Sequence, residues 1–216
     1  YISCFEDARF GIFVQWGISS DAAGIWQGKN YYGITEWLWR RSQASAAEYK
    51  ALADTFNPTE FDAEEWVGLA TDAGARYMVV AAKHHDGFAL FDSAVSEFDI
   101  IDATPFARDP LAELAAEAKA QDMKLGFYYS QYQDWEHPDG GGNAWEYDPA
   151  TQNFDRYQTE KAIPQLKELL SNYGDVALMW FDTPGKATKD EAKAFVDLVR
   201  DYQGDTLISS RLGHGL

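Results

Sequence analysis

Ionisable side chains follow several of the short apolar segments in this chain of 216 residues. Asp182 ends the apolar run VALMWFD, where a charge costs free energy unless a site uses it. His84 and His85 follow a second apolar run, RYMVVAA. A carboxylate can attack carbon or exchange a proton, and imidazole nitrogens hydrogen-bond polar ligands. A simpler explanation for Asp182 is also open, in which the carboxylate caps the loop that begins at Thr183.

Other segments contribute aromatic and polar side chains that suit ligand recognition. Gln15 and Trp16 close an apolar run near the start of the chain, and Glu36 and Trp37 lie in the sequence TEWLW. If that segment is extended, Trp39 lies on the same face as Trp37; if it is a helical turn, its tryptophans belong to the core. The remaining residues at strand ends are Tyr128, Tyr129, Ser130, Trp180, Ser210 and Arg211, of which we expect Tyr129 to point into the barrel wall.

The elements that must position these residues alternate between buried strands and amphipathic helices. We predict strands at Gly11 to Trp16, Arg76 to Ala82, Lys124 to Ser130, Val176 to Asp182 and Thr206 to Ser210. We predict helices at Ser45 to Phe56, Asp62 to Ala73, Pro110 to Gln121, Phe154 to Tyr173 with a break near Ile163, and Lys189 to Tyr202. Ser45 with Glu48, and Asp62 with Glu65, have the spacing of a capping box.

Five strand–helix repeats fit either an open doubly wound sheet or part of an eight-fold barrel. In a barrel, the carboxyl ends of all strands meet at one mouth, so the candidate residues share a pocket. That convergence of Trp, Tyr, His, Asp and Arg predicts recognition of a small, uncharged, hydroxyl-rich molecule such as a sugar. The glycine-rich segment PDGGGN at 138–143 lacks the GK[ST] of a phosphate loop, and we expect a mobile surface loop beside the site.

The charge balance excludes several classes of partner. There are 35 acidic and 18 basic residues, a net charge of −17, so neither nucleic acid nor an anionic membrane is an expected partner. Because 46% of the residues are hydrophobic, the chain folds rather than forming an acidic tail. Cys4 is the single cysteine and excludes an internal disulfide. No secretory signal is visible at the N-terminus.

Six motifs together resemble the catalytic barrel of the α-L-fucosidases, glycoside hydrolase family twenty-nine. They are RFGIFVQWG from Arg9, TEWLW from Thr35, KHHDGFALFDS from Lys83, GFYYS from Gly126, DW at Asp134 and LMWFD from Leu178. The resemblance runs in order from about Arg9 to Arg211. It implies an α/β fold of the (β/α)8 TIM-barrel type, and a retaining glycosidase that removes terminal α-L-fucose from glycans or small fucosides without a cofactor.

The resemblance also assigns roles to individual residues. Asp182 becomes the nucleophile, and Glu36 a hydroxyl acceptor or the general acid/base. The residues that it implies for sugar binding are Gln15, Trp37, His84, His85, Tyr128, Trp180 and Arg211. It implies no metal, and a periplasmic or secreted location; an oligomer is possible.

The sequence departs from the family in two respects. Gln15 stands where the family usually has a histidine in IHWG, which affects the choice of sugar. An eight-fold barrel takes about 250 residues, so we expect 1–216 to be one catalytic-barrel domain that lacks its C-terminal part. In much of the family the acid/base glutamate follows the position of Arg211. The alternatives are therefore an inactive sugar-binding barrel without an acid/base, or a metal-dependent hydrolase that uses His84, His85 and Asp86.

Overall fold

The computed structural model describes residues 2–216, with side chains in the first helix from Phe5 onward, so the thiol of Cys4 lies outside the described part. The strands are β1 (Gly11–Val14), β2 (Ile25–Trp26), β3 (Lys29–Asn30), β4 (Tyr77–Lys83), β5 (Lys124–Tyr129), β6 (Val176–Phe181) and β7 (Leu207–Ile208). The α-helices are α1 (Ile2–Ala8), α2 (Ser19–Ala22), α3 (Leu38–Ser42), α4 (Ala46–Lys50), α5 (Ala63–Asp72), α6 (Pro110–Ala120), α7 (Phe154–Tyr157), α8 (Ile163–Asn172) and α9 (Lys189–Tyr202). Short 3-10 segments lie at Thr35–Trp37, Ala53–Thr55 and Ser210–Leu212, and a π-helical turn at Gln158–Ala162.

The main sheet has five parallel strands in the order β1-β4-β5-β6-β7, so each strand pairs with the next main-sheet strand along the chain. A doubly wound sheet reverses its strand order at a switch point, whereas a barrel does not. The observed order is therefore that of consecutive barrel strands. Within the described residues, β1 and β7 form the two outer edges of this sheet. β2 and β3 form a separate antiparallel hairpin.

Alternation along β4 separates the two faces of the sheet. Met78, Val80 and Ala82 belong to the large core that the helices cover, whereas Val79 and Ala81 belong to a small cluster with Tyr128 on the inner face. Two aromatic residues of the inner face, Phe13 and Trp180, remain 42% and 37% exposed. The central strands thus bury their outer face, the edge strands are partly buried there, and part of the inner face stays open.

The helices cover the outer face with apolar side chains at helical spacing. Leu111 and Leu114 of α6, and Leu166 and Leu169 of α8, are completely buried in the same core. The α9 helix contributes Phe195 and Val199 to the same core. Burying a leucine or phenylalanine side chain contributes about 1.5–3 kcal/mol, so this layer is the principal stabilising contact of the sheet.

The helix signals in the sequence act as expected. Ser45 and Glu48 form a reciprocal capping box at α4, and Asp62 accepts the Glu65 N–H at the start of α5. The break predicted near Ile163 is confirmed, and the π-helical turn Gln158–Ala162 lies just before it. The cause is chemical, because Pro164 has no N–H to donate to the helix and its ring crowds the preceding turn.

The prediction of a surface loop at 138–143 is wrong. Gly140 and Gly141 are buried, and a Cβ atom at Gly140 would clash with the carbonyl oxygen of Asp134. Asn143 is also buried and donates from its side chain to the carbonyl of Trp135. The glycines therefore allow close packing of this loop against the preceding residues. Among the described helices, none is long and apolar enough to cross a membrane.

Candidate active site

The two histidines after β4 approach the same carboxylate although they are neighbours in sequence. The parallel register between β4 and β5 shifts between Ala81 and Lys83, which interrupts the regular alternation of side chains just before them. The ring centroids of His84 and His85 lie 4.2 Å apart. One nitrogen from each ring and one carboxylate oxygen of Asp182 all lie within 4.8 Å of one another. The irregular strand end therefore brings both imidazoles to the same carboxylate.

The hydrogen bonds of His85 fix its tautomer. The Ser130 hydroxyl donates to the Gln133 carbonyl at 2.8 Å, so its oxygen accepts from Nδ1–H of His85 at 2.7 Å. Nε2 is then the bare nitrogen, and it lies 3.6 Å from Oδ2 of Asp182. Burial lowers the pKa of His85 to about 4, which outweighs the opposing effect of Asp182. His85 is thus neutral at pH 7, and its Nε2 atom can accept a hydrogen bond from a hydroxyl group.

His84 is also held neutral. Its ring stacks on Tyr128 with centroids 5.0 Å apart and planes 11° apart. Burial, and then the neighbouring His85, lower its pKa well below the ordinary value. Its Nδ1 atom is enclosed and has no hydrogen-bond partner among the described residues. The stacking fixes the plane of the ring.

Asp182 follows the last residue of β6 and is surrounded by donors. Tyr128 donates its hydroxyl to Oδ2 at 2.7 Å, and the Thr183 backbone N–H donates to Oδ1 at 2.6 Å. The Arg211 guanidinium lies 2.8 Å from Oδ1. A carboxylate with this many donors is stabilised in its ionised form.

The pKa of Asp182 reflects a competition that the donors win. Burial raises the pKa, but the Tyr128 hydroxyl, the Thr183 N–H, His85 and Arg211 together bring it below the ordinary value. Burial raises the pKa of Tyr128, and Asp182 raises it further. At neutral pH the phenol therefore keeps its proton and donates it to an ionised carboxylate.

Aromatic side chains lie on two sides of the cluster formed by His84, His85 and Asp182. Trp37 meets His85 edge-on at 5.3 Å and Trp135 at 5.5 Å, measured between ring centroids. On the other side, Trp180 lies 5.2 Å from Phe13 and pairs in register with Tyr128. These rings offer the apolar surfaces on which the C–H faces of a sugar can pack.

Gln15 and Glu36 also lie beside this cluster. Gln15 is half-buried and shares a small cleft with Trp16, His84 and Asp86. Glu36 is half-buried and lies close enough to Tyr128 to contribute to its raised pKa. The Glu36 carboxylate makes no hydrogen bond or ion pair with the residues that the structure describes. All nine residues predicted for the site thus come to one end of the sheet.

The TEWLW segment is helical rather than extended, so Trp39 does not share the face of Trp37. Trp39 is completely buried, stacks on Tyr49 at 4.4 Å and donates its indole N–H to the Ala44 carbonyl. It belongs to the core. Tyr129 likewise points away from the cavity and donates its hydroxyl to Gln165 of α8.

Asp86 does not join the histidines as the metal alternative requires. Its carboxylate accepts from the Tyr49 hydroxyl at 3.0 Å and from the Phe88 N–H at 3.2 Å. Burial raises its pKa to about 6. Among the described residues, the set that could hold a metal ion is instead His84, His85 and Asp182.

A buried network of charged residues, Lys83, Lys161 and Asp134, lies next to the loop that contacts His85. Lys83 and Lys161 lie 2.9 and 3.0 Å from Oδ2 of Asp134, and all three side chains are almost completely enclosed. Burial lowers the pKa of Lys83 to about 8, although Asp134 opposes this effect. Burial raises the pKa of Asp134, but the two ammonium groups outweigh it and lower that pKa. Asp134 thereby fixes the loop in which the Trp135 N–H donates to the His85 carbonyl.

Sequence reasoning missed two glutamines that contact the central residues. Gln131 hydrogen-bonds the backbone of Asp182, and Gln133 places its side-chain nitrogen 3.5 Å from Nε2 of His85. Both are buried. The available signal was their position directly after the strand GFYYS, where the carboxyl ends of the strands converge.

Comparison with known proteins agrees with this geometry. The family model described as alpha-L-fucosidase matches residues 1–216. The tissue alpha-L-fucosidase of Rattus norvegicus is 33% identical over 195 residues, which are 82% of this chain and 38% of that protein. The chain thus spans well under half the length of this relative.

Two solved structures of a bacterial enzyme resemble the chain more fully. AlfC from Lactobacillus casei in complex with its α-L-fucose product is 41% identical, with a TM-score of 0.96 over 99% of this chain and 71% of that one. An AlfC variant in complex with Fucα(1,6)GlcNAc is 39% identical, with a TM-score of 0.94 over 99% and 70%. The order of the parallel strands, the ionised carboxylate beside two neutral histidines, and these matches lead to one conclusion. The chain belongs to the α-L-fucosidase family, glycoside hydrolase family twenty-nine.

Proposed function

We propose that this chain provides the catalytic site of a retaining glycosidase that removes terminal α-L-fucose. The observation that supports the proposal most strongly is the state of Asp182. Its carboxylate is ionised and half-buried, and it faces the bare Nε2 of His85 across 3.6 Å. A retaining glycosidase needs such a carboxylate to attack the anomeric carbon.

The reaction follows in two steps. An oxygen of Asp182 attacks C1 of fucose, the bond from C1 to the leaving oxygen breaks, and that oxygen takes a proton from the acid/base carboxyl. Water then attacks C1 of the glycosyl ester and gives one proton to the same acid/base group, while the carboxylate of Asp182 leaves. The donors around Asp182 stabilise the carboxylate before the first step and after the second.

The remaining residues of the site bind the sugar. The neutral imidazoles of His84 and His85 accept or donate hydrogen bonds to the hydroxyls, and Gln15 can do both through its amide. Trp37 and Trp180 supply the apolar surfaces. Arg211 stabilises the charge on Asp182 through its contact at 2.8 Å.

Glu36 is the candidate acid/base that this chain itself offers, because its carboxylate lies at the cavity without a partner among the described residues. The alternative role for Glu36 is that of a hydroxyl acceptor. A proton donor matters most for a poor leaving group. Glu36→Ala should therefore lose far more activity toward a fucosyl disaccharide than toward a nitrophenyl fucoside, whereas a hydroxyl acceptor would affect both substrates equally.

The substrate class that we propose is a fucosylated glycan or a small fucoside. AlfC relatives have been solved with α-L-fucose and with Fucα(1,6)GlcNAc. The pocket has aromatic walls and neutral hydrogen-bonding groups, which suit an uncharged deoxyhexose. The net charge of −17 would repel a strongly anionic ligand.

The test measures release of nitrophenol from 4-nitrophenyl α-L-fucoside by the full-length gene product. Asp182→Ala should reduce kcat by about 10³-fold or more, since the covalent step is lost. Asp175→Ala is the matched control, because Asp175 is exposed just before the opposite end of β6. Sugar binding without turnover by the unmodified protein would favour an inactive sugar-binding barrel.

A metal-dependent reaction is the second candidate, because His84, His85 and Asp182 could hold an ion. In that case a chelator would abolish turnover and added Zn²⁺ would restore it. Our proposal predicts that activity survives the chelator.

A further inference from the structure

Gln131 uses both ends of its side-chain amide on the backbone around Asp182. Gln131 is 1% exposed and follows β5 by two residues. Its Oε1 accepts the Asp182 backbone N–H at 2.8 Å, and its Nε2 donates to the carbonyl of Asp182. One side chain thus binds both backbone polar groups of the same residue.

This arrangement extends the sheet past the end of the strand. The last paired residues of β5 and β6 are Tyr129 and Phe181. Beyond them the Ser130 N–H continues the ladder with β4 by donating to the Lys83 carbonyl at 2.9 Å, and the Asp182 N–H bonds the Gln131 side chain instead of a β5 carbonyl. A primary amide has the same donor and acceptor groups as a peptide unit. The Gln131 side chain therefore replaces the backbone that would have paired with Asp182.

The same amide also reaches the segment that carries Arg211. Its Nε2 has two hydrogens, and the carbonyl oxygen of Arg211 lies 3.4 Å away. The guanidinium of Arg211 in turn contacts Oδ1 of Asp182 at 2.8 Å. Gln131 thus lies between the backbone of the carboxylate residue and the backbone of its cation.

We propose that Gln131 is a positioning residue that fixes the carboxylate of Asp182 and the guanidinium of Arg211 for reaction. The inference rests on the proposed function, in which Asp182 attacks C1. Attack needs the carboxylate oxygen within a few tenths of an ångström of its line of approach, and a misplacement of about 1 Å can cost about 100-fold in rate. Gln131 acts through Asp182 and does not need to touch the sugar.

Gln131→Met removes all three hydrogen bonds while it keeps a side chain of similar length. Gln165→Met is the matched control, because Gln165 is equally buried but bonds Tyr129 and Ser93 on the helix side of the sheet. We expect both variants to lose stability. Only Gln131→Met should lose kcat, by about 10–100-fold with KM changed less than threefold.

Gln131→Glu distinguishes positioning from a loss of folding. A carboxylate at this position can still accept the Asp182 N–H but cannot donate to either carbonyl. It also places a second negative charge beside Asp182, which raises the pKa of that carboxyl. We expect the acidic limb of the kcat/KM profile to move to higher pH in this variant, a change that a stability defect alone does not produce.

The experiment combines nitrophenyl fucoside kinetics with amide hydrogen exchange on the full-length gene product. The expected result is a kcat loss confined to Gln131→Met and faster exchange of the Asp182 amide in that variant alone. Equal kcat values for Gln131→Met and Gln165→Met, or unchanged exchange at Asp182, would overturn the inference. An unmodified protein that does not hydrolyse the fucoside contradicts the proposed function instead, and the exchange at Asp182 then decides the inference by itself.

Discussion

The ionised state of Asp182 depends on neighbours of different chemistry, and Arg211 is the one whose charge is permanent. Its guanidinium is mostly exposed yet lies 2.8 Å from the carboxylate. Burial raises the pKa of Asp182 and the cation is among the groups that lower it. At the scale of single residues, the site therefore depends on neighbours that keep the pKa of the Asp182 carboxyl group low.

We expect Arg211→Gln to move the acidic limb of the kcat/KM profile to higher pH. Removing the cation raises the pKa of Asp182, so the reactive carboxylate is protonated at a higher pH as acid is added. The shift should shrink in high salt, because an exposed cation is screened. Arg211→Lys keeps the charge and should leave the limb near its original position; an identical limb in all three proteins would contradict this account of Asp182.

The residue types of the site could be predicted from the sequence, but not all of their contacts. The apolar run before Asp182 and the histidine pair gave strong signals because charged and polar groups rarely follow buried strands without a use. Gln131 gave only a weak signal, its position directly after GFYYS, since an amide has no charge and its contacts depend on where the backbone pairing of β5 with β6 ends. That end point, after the pair Tyr129 and Phe181, is a tertiary feature.

Among the elements, the helices pack on the outer face of the sheet, and capping boxes fix where two of them begin. The α9 helix begins with a reciprocal capping box between Thr188 and Glu191 and lies directly after the loop that follows Asp182. The bounds predicted for this helix are confirmed at both ends. A helix start with such a box is encoded locally, which explains why sequence patterns predict it well.

Thr188→Ala should lower the free energy of unfolding by about 1 kcal/mol, because the Glu191 N–H loses its acceptor at the helix start. Chemical denaturation measures this loss. The reference is Thr59→Ala, an exposed threonine outside any helix, which should change stability by less than about 0.5 kcal/mol. A Thr188→Ala protein as stable as the reference would show that the cap contributes nothing.

Elements whose form depends on tertiary contacts were harder to predict. TEWLW contains two tryptophans two residues apart, which is compatible with a strand or with a helical turn, and the stack of Trp39 on Tyr49 favours the turn. The strand predicted at Thr206 to Ser210 shortens to Leu207–Ile208, because only β6 pairs with it among the described strands. Propensity does not record how many neighbours a strand has.

For the molecule as a whole, the buried site groups couple stability to pH. Burial lowers the pKa of His85 to about 4 and that of His84 well below normal, so the unfolded chain binds protons that the folded chain excludes. Stability therefore falls as the pH drops from about 6.5 toward 4. Burial also lowers the pKa of His137, whereas burial raises the pKa of Asp86 to about 6 and raises those of Asp99 and Glu168, which opposes part of this fall.

We expect the free energy of unfolding to decrease by about 1–3 kcal/mol between pH 6.5 and 5, measured by urea denaturation. His85→Gln should weaken this dependence, because one of the protons that the folded chain excludes is removed. His214→Gln, a change at an exposed histidine, should retain it. A steep dependence that persists in the His85 variant would show that other groups bind the protons.

The barrel type was predictable at this scale because five strand–helix repeats place their polar residues at the same end of each strand. The sheet order β1-β4-β5-β6-β7 then distinguishes consecutive barrel strands from a doubly wound sheet. The dense packing of the loop at 138–143 was not predictable, since glycine-rich sequences occur both in open loops and where two backbones approach closely.

The most direct test of the central claim is to identify the residue that bonds to the sugar. A 2-deoxy-2-fluoro-fucosyl fluoride should trap the glycosyl-enzyme ester, because fluorine at C2 destabilises the oxocarbenium-like transition state for its hydrolysis. Peptide mass spectrometry of the inactivated full-length protein should then find the label on Asp182. A label on another carboxylate such as Glu36, or inactivation without any covalent label, would contradict the account.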